Sequence, residues 1–188
     1  DTLREAGAAV ITIADSKTIN TATNNDNIVL EISTGALHDE STSGDISVEG
    51  LNAGTGHISI KNTGLTDGSG IVTTSTDSSI TAASVALRVR SDVSNEIGTS
   101  SNPIKTTVTN LDALGSGGGI YIQESDTLIV GGATLGGLTG VSTSNNNGAV
   151  SIVTSANSLT INEAVTAHGT GNVTLTGASN LDIDASIT

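Results

Sequence analysis

Gly148-Ala149-Val150-Ser151-Ile152 returns 23 positions later as Gly171-Asn172-Val173-Thr174-Leu175. Asn157 is matched by Asn180 at the same offset. One residue is then dropped, and Leu159-Thr160-Ile161 returns 22 positions on as Leu181-Asp182-Ile183, with Val165 matched by Ile187. Each unit therefore holds three short strand signals separated by Ser, Ala, Asn and Gly, the residues that make turns. An antiparallel sandwich would need hairpin turns and longer amphipathic strands. In a parallel coil, equivalent residues of successive turns lie about 4.8 Å apart, so aliphatic must sit on aliphatic and turn on turn. The repeat meets that demand. It predicts an all-β, parallel β-helix with 22–23 residues and three short strands per coil.

The same grammar extends outward with looser spacing. Gly44-Asp45-Ile46-Ser47-Val48 and Gly56-His57-Ile58-Ser59-Ile60 copy the opening of the unit, and Gly119-Ile120-Tyr121-Ile122 with Leu128-Ile129-Val130 adds another pair of rungs. Ile28, Leu30 and Ile32 alternate with polar neighbours, as do Val85, Leu87 and Val89, which is the period of a half-buried strand. Ile120 to Val150 spans 30 residues, and the excess falls in the stretch 131–147, from Gly131-Gly132 to Asn145-Asn146-Asn147-Gly148, read as a loop extruded from one coil. The whole of 1–188 reads as a single β-helix segment, and 22 residues per coil would give eight coils rising about 40 Å. Asn157 and Asn180 are expected at the same turn of successive coils, where their amides would bond along the stack and left-handed backbone is tolerated.

Composition agrees with a thin aliphatic core. There is no Cys, Met, Phe or Trp, and Tyr121 and Pro103 are the sole residues of their kinds. A Ser/Thr/Gly/Asn-rich acidic chain can remain disordered, but 35% hydrophobic content clustered in alternating β-branched runs argues for folding. The net charge of −13 argues against nucleic-acid or anionic-membrane partners, which need concentrated Lys and Arg. No run approaches the roughly 18 apolar residues of a membrane helix. The absence of cysteine is permissive of export. The start at Asp1, without Met, raises the expectation of a processed product or a piece of something longer.

A solenoid exposes strand edges and apolar cross-sections at its ends. Residues 1–7 offer a possible N-terminal cap, with Thr2-Leu3-Arg4-Glu5 as a capping box and Gly7 ending the turn. At Ile187-Thr188 there is no polar closing segment, so further coils or end-to-end stacking on a second subunit are expected there.

At Asn95-Glu96-Ile97-Gly98-Thr99-Ser100-Ser101-Asn102-Pro103-Ile104, through Thr107-Val108 and Leu111-Asp112-Ala113 to Gly118-Gly119-Ile120-Tyr121-Ile122, the chain resembles the large repetitive bacterial surface β-helix proteins of the filamentous haemagglutinin-like adhesin type. Thr2-Leu3-Arg4-Glu5-Ala6 is similar to the Leu-Arg-Glu-Ala segment at the start of some bacterial surface β-helices. The specific part covers about 30 residues, and fold transfers across such repeats better than function. The resemblance implies a right-handed parallel β-helix, secretion to a bacterial cell surface, and structural or adhesive work towards host cells, neighbouring cells or glycans. It brings no catalytic residues.

Two residue pairs bear on an enzyme reading. Carbohydrate-active β-helices set carboxylates and basic groups on one outer face. Asp182 and Asp184 flank inward Ile183, and Arg88 and Arg90 flank inward Val89, but the pairs are about four coils apart, some 20 Å at the strand spacing. His38-Asp39-Glu40 is the densest polar cluster, with His57 and His168 remote from it and no H-x-x-x-H spacing. Gly117-Gly118-Gly119 runs into Ile120-Tyr121 rather than into a calcium-binding nonapeptide. Asn172-Val173-Thr174 matches the glycosylation sequon around a core valine. The expectation is therefore a non-catalytic protein with no catalytic, cofactor or metal residues to name. Its alternatives are a subunit of an end-to-end filament and a carbohydrate-binding or carbohydrate-active β-helix.

Overall fold

A computed structural model describes residues 9–33, 43–64, 69–73, 75 and 79–188. The expected cap at 1–7 and the cluster His38-Asp39-Glu40 lie outside the described residues.

The chain winds as a parallel β-solenoid. The first coil holds β1 (Ala9–Thr12), β2 (Ile19–Asn20) and β3 (Ile28–Ile32), and the second β4 (Ser43–Ser47), β5 (Gly50–Asn52) and β6 (His57–Asn62). Next come β7 (Ile71–Val72) with β8 (Ser79–Val89), and β9 (Glu96–Ile97) with β10 (Ile104–Gly115). Three-strand coils resume with β11 (Gly119–Glu124), β12 (Leu128–Val130) and β13 (Val141–Thr143), then β14 (Val150–Thr154), β15 (Ser158–Ile161) and β16 (Val165–Thr166). The last coil has β17 (Val173–Thr176), β18 (Asn180–Ile183) and a parallel bridge from Val165 to Ile187.

In the third and fourth coils the second and third strands run together. The inward positions of β8 change phase between Ala82 and Val85, and those of β10 between Val108 and Leu111. A one-residue change of phase turns the same face inward on both sides of a corner, because side chains alternate with a period of two. Buried Glu124 closes this corner from the next coil. One of its oxygens accepts from Thr106 Oγ1 (2.7 Å) and Val108 N–H (3.0 Å), and the other from Ser125 N–H (2.8 Å).

Aliphatic residues stack in columns. On the first wall Ile11, Ile46, Ile71, Ile97, Ile120, Val150 and Val173 lie in register, at spacings of 35, 25, 26, 23, 30 and 23 residues. On the third wall Ile28, Ile58, Val85, Leu111, Val130, Ile161 and Ile183 do the same. The 22–23-residue coil holds best where the turns are tight, and longer excursions enlarge the others. Hence the wall has seven rungs rather than the eight coils expected from length, a rise of about 29 Å.

The Asn157–Asn180 stack is corrected. Asn180 lies in β18 opposite Ser158, and Asn157 precedes that position by one residue. The deletion that shifts the repeat from 23 to 22 falls before Asn180 rather than after it. Asn157 is in the left-handed region (φ 60°), its backbone carbonyl accepts from Ser179 N–H, and its side-chain amide donates to Asp126 Oδ1 of the preceding coil.

Candidate functional site

The outer side of the third wall carries the most constructed polar arrangement among the described residues. Val29, Ser59, Ala86 and Asp112 form one outward column, and His57, Ser84 and Asn110 the column beside it. An outward residue should be wet. Ser84 (2% exposed), Ala86 (1%) and Asp112 (1%) are dry, because residues 131–140 leave the wall after β12, fold back over them and return at β13. The segment Gly-Gly-Ala-Thr-Leu-Gly-Gly-Leu-Thr-Gly can do this because its glycines take positive φ: 114° and 77° at Gly131 and Gly132, 84° and 59° at Gly136 and Gly137, 68° at Gly140. At Gly136 a side chain would meet Ala86 Cβ at 2.6 Å, so small residues on both surfaces allow the loop to lie flat.

Hydrogen bonds from the wall fix the loop. Asp112 Oδ2 accepts from Ala133 N–H and Asp112 Oδ1 from Gly140 N–H, both at 2.7 Å. Glu163, on the turn between β15 and β16, accepts from the same Gly140 N–H at 2.6 Å. Asn110 Nδ2 donates to the Gly131 carbonyl (2.7 Å), and Thr134 N–H donates to Ser84 Oγ (3.2 Å). Ser84 Oγ also pairs with His57 Nδ1 at 2.9 Å.

Two carboxyl groups thus converge on one amide proton. Asp112 and Glu163 belong to coils on either side of the loop's own, and the glycine ends of the loop leave room for both to lean inward. Burial under the loop pushes the Asp112 carboxyl up to about 6; the Ala133 and Gly140 amides oppose the shift, while the Glu163 charge adds to it. The Asp112 carboxyl can therefore hold a proton in mild acid. Asp112 is closed off from solvent, so its carboxyl serves the loop amides rather than a substrate. The His57–Ser84 contact has the separation of a base and a nucleophile, yet Ser84 is equally covered.

A second carboxyl pair lies on the first wall, where Asp45 Oδ1 accepts from Gly70 N–H at 2.7 Å. Glu96, two coils on from Asp45, has its carboxyl raised by burial and then by the Asp45 charge. On the same wall Tyr121, Pro103, Gln123 and Ser151 line a shallow groove of about 180 Å³.

The fold does not bring the Arg88–Arg90 pair to the Asp182–Asp184 pair. Asp182 stands in the column Ser84, Asn110, Ile129, Thr160, Asp182, while Arg88 stands beside Lys61 and Leu114. Arg88 and Asp182 are thus four rungs apart, roughly 19 Å along the axis. Arg90 pairs instead with Asp92 two residues on, and that hydrogen-bonded pairing raises the guanidinium and lowers the carboxyl from their ordinary values. His57 and His168 stay separate, and no group of three His, Asp or Glu side chains with metal-binding geometry occurs among the described residues. Asn172 and Thr174 are exposed around half-buried Val173, so the sequon flanks a core position as the repeat requires.

Sequence reasoning missed Asp112 and Glu163. A lone acid between Leu111 and Ala113 reads as a solvated outward residue. The available signal was the small pair Ser84 and Ala86 in the same outward columns, which matters once the glycine-rich segment is laid back over them.

No family model matches the chain, and no curated protein or solved structure matches it. The wall's own geometry therefore carries the functional reading.

Proposed function

We propose that this chain is a segment of a rigid rod on a bacterial cell surface, with a structural or adhesive rather than catalytic role. The observation that supports this reading is the unbroken run of stacked aliphatic columns, from Ile11 to Val173 on one wall and from Ile28 to Ile183 on another. Such a core makes a stiff spacer, since each coil rests on its neighbours and side chains on the walls can vary without disturbing it. The adhesin-like order of elements from Asn95 to Ile122 supports the placement at a surface. Loop 131–140 and the Tyr121 groove are the wall features offered to a host cell, a neighbouring cell or a glycan.

Beads coated with the chain test the reading. Saturable binding to cells or to immobilised glycans is expected, weakened by Tyr121→Ala. Turnover of an acidic polysaccharide that is lost in Asp182→Ala or Arg88→Ala would overturn the non-catalytic part, and beads that bind no better than uncoated ones would overturn the adhesive part.

The last rung favours a second reading, in which a second copy stacks on it. Leu181 is 38% and Ile183 48% exposed, although both belong to inward columns whose other members are buried. Sedimentation velocity across a wide concentration range should show elongating species that are suppressed in Ile183→Lys. Monomers at every concentration would count against stacking of copies.

A further inference from the structure

We propose that residues 131–140 form a proton-held cover, closed over the outer third wall in mild acid and released when Asp112 ionises beside Glu163. The geometry carries this, independently of whether the rod is adhesive. Both carboxyl groups meet at the Gly140 amide, at 2.7 and 2.6 Å, and Asp112 takes a second loop amide from Ala133. Closing the loop is what removes Asp112 from water.

The charged surroundings of Asp112 are simple. Glu163 faces it from the turn between β15 and β16. From β8 it meets neutral Ala86, with Ser84 alongside and Arg88 two positions along the strand. His57 of β6 reaches only Ser84. The loop itself, Gly-Gly-Ala-Thr-Leu-Gly-Gly-Leu-Thr-Gly, has no ionisable side chain, so it contributes no charge to the titration.

Linkage fixes the direction. In the closed state the Asp112 carboxyl titrates at about 6, against 3.8 for an unperturbed aspartate, so a proton favours closure between those values. Opening restores solvent to Asp112 and withdraws the loop amides of Ala133 and Gly140. The whole shift corresponds to a factor on the order of a hundred, reached only from below about pH 3.8 to well above pH 6; between about pH 4.5 and about pH 7.5 the open fraction should rise roughly thirtyfold. Ser84, Ala86 and Asp112 then become accessible.

Amide hydrogen exchange on the full chain, corrected for intrinsic rates and compared at about pH 4.5 and about pH 7.5, reads the open fraction directly. Protection at Ala133, Thr134 and Gly140 should fall roughly thirtyfold at the higher pH, while Leu87 in the wall beneath stays protected. Glu163→Gln should shrink the difference and Asp112→Asn abolish it. Equal protection at the two pH values in the unaltered chain, or a difference that persists undiminished in both variants, overturns the proposal. Should Asp112→Asn fail to fold, carbon-13 titration of the Asp112 carboxyl in the unaltered chain decides. A midpoint near 6 supports the cover, and one in the ordinary carboxylate range overturns it.

Discussion

At the scale of single residues, this fold is governed by where the backbone turns left. Asn157 holds φ 60° between β14 and β15. Asn reaches that region at little cost because its short polar side chain bonds locally, whereas a β-branched residue there meets its own carbonyl. Asn157→Val should therefore lower stability by about 1–2 kcal/mol. Asn157→Gly should cost less than about 1 kcal/mol, since glycine keeps the angle and gives up only the exposed bond to Asp126. Urea unfolding of the two variants checks the order; equal losses would mean that the side-chain bond, and not the backbone, holds the turn. Asp112 adds a pH dependence of definite sign. Its folded carboxyl is raised to about 6, so its contribution to stability is complete below about 3.8 and lost as pH rises through about 6. The urea midpoint should fall over that window and fall less in Glu163→Gln.

At the scale of elements, the loop and the wall beneath it are separable. Val130 and Val141 hold wall positions equivalent to Ile161 and Val165, which are joined by only Asn162, Glu163 and Ala164. Replacing residues 131–140 with that three-residue connection should leave the circular dichroism of the solenoid unchanged while a thiol introduced by Ser84→Cys becomes reactive towards a soluble reagent. A collapse of the β-signal would show that the loop is needed to form the coil. This separability explains what could be read from sequence. The strands were legible because Val, Ile and Leu alternate with polar residues whatever the coil length, and the pairing of Ile120 with Val150 followed from a matched local pattern. Ladder partners were less legible where that pattern recurs within one coil: Ile46 and Ile58 sit in near-identical pentapeptides, yet the first faces Ile71 and the second Val85, on different walls. The carboxyl pair was illegible because Asp112 and Glu163 meet only after the loop between them has folded back, a contact that alternation does not encode.

At the scale of the whole molecule, stability is a sum over stacked neighbours, and position along the axis should matter more than side-chain type. Leu111 lies mid-stack between Val85 and Val130 and is fully buried, while Ile183, in the same column, has Ile161 on one side and is 48% exposed. Truncating Leu111 removes contacts above and below and leaves a cavity that two rigid rungs cannot close, which costs about 2–5 kcal/mol. Truncating Ile183 removes a half-wet side chain and should cost less than about 1.5 kcal/mol. Leu111→Ala and Ile183→Ala compared in urea therefore measure whether the last rung is open in solution. A large loss from Ile183→Ala would mean that something covers that rung, and dilution separates the sources: a covering second copy gives a concentration-dependent midpoint, because only association couples stability to concentration. Amide exchange should show the same gradient, fastest in β17 and β18 and slowest in β8 and β10, where each strand has a partner on both sides.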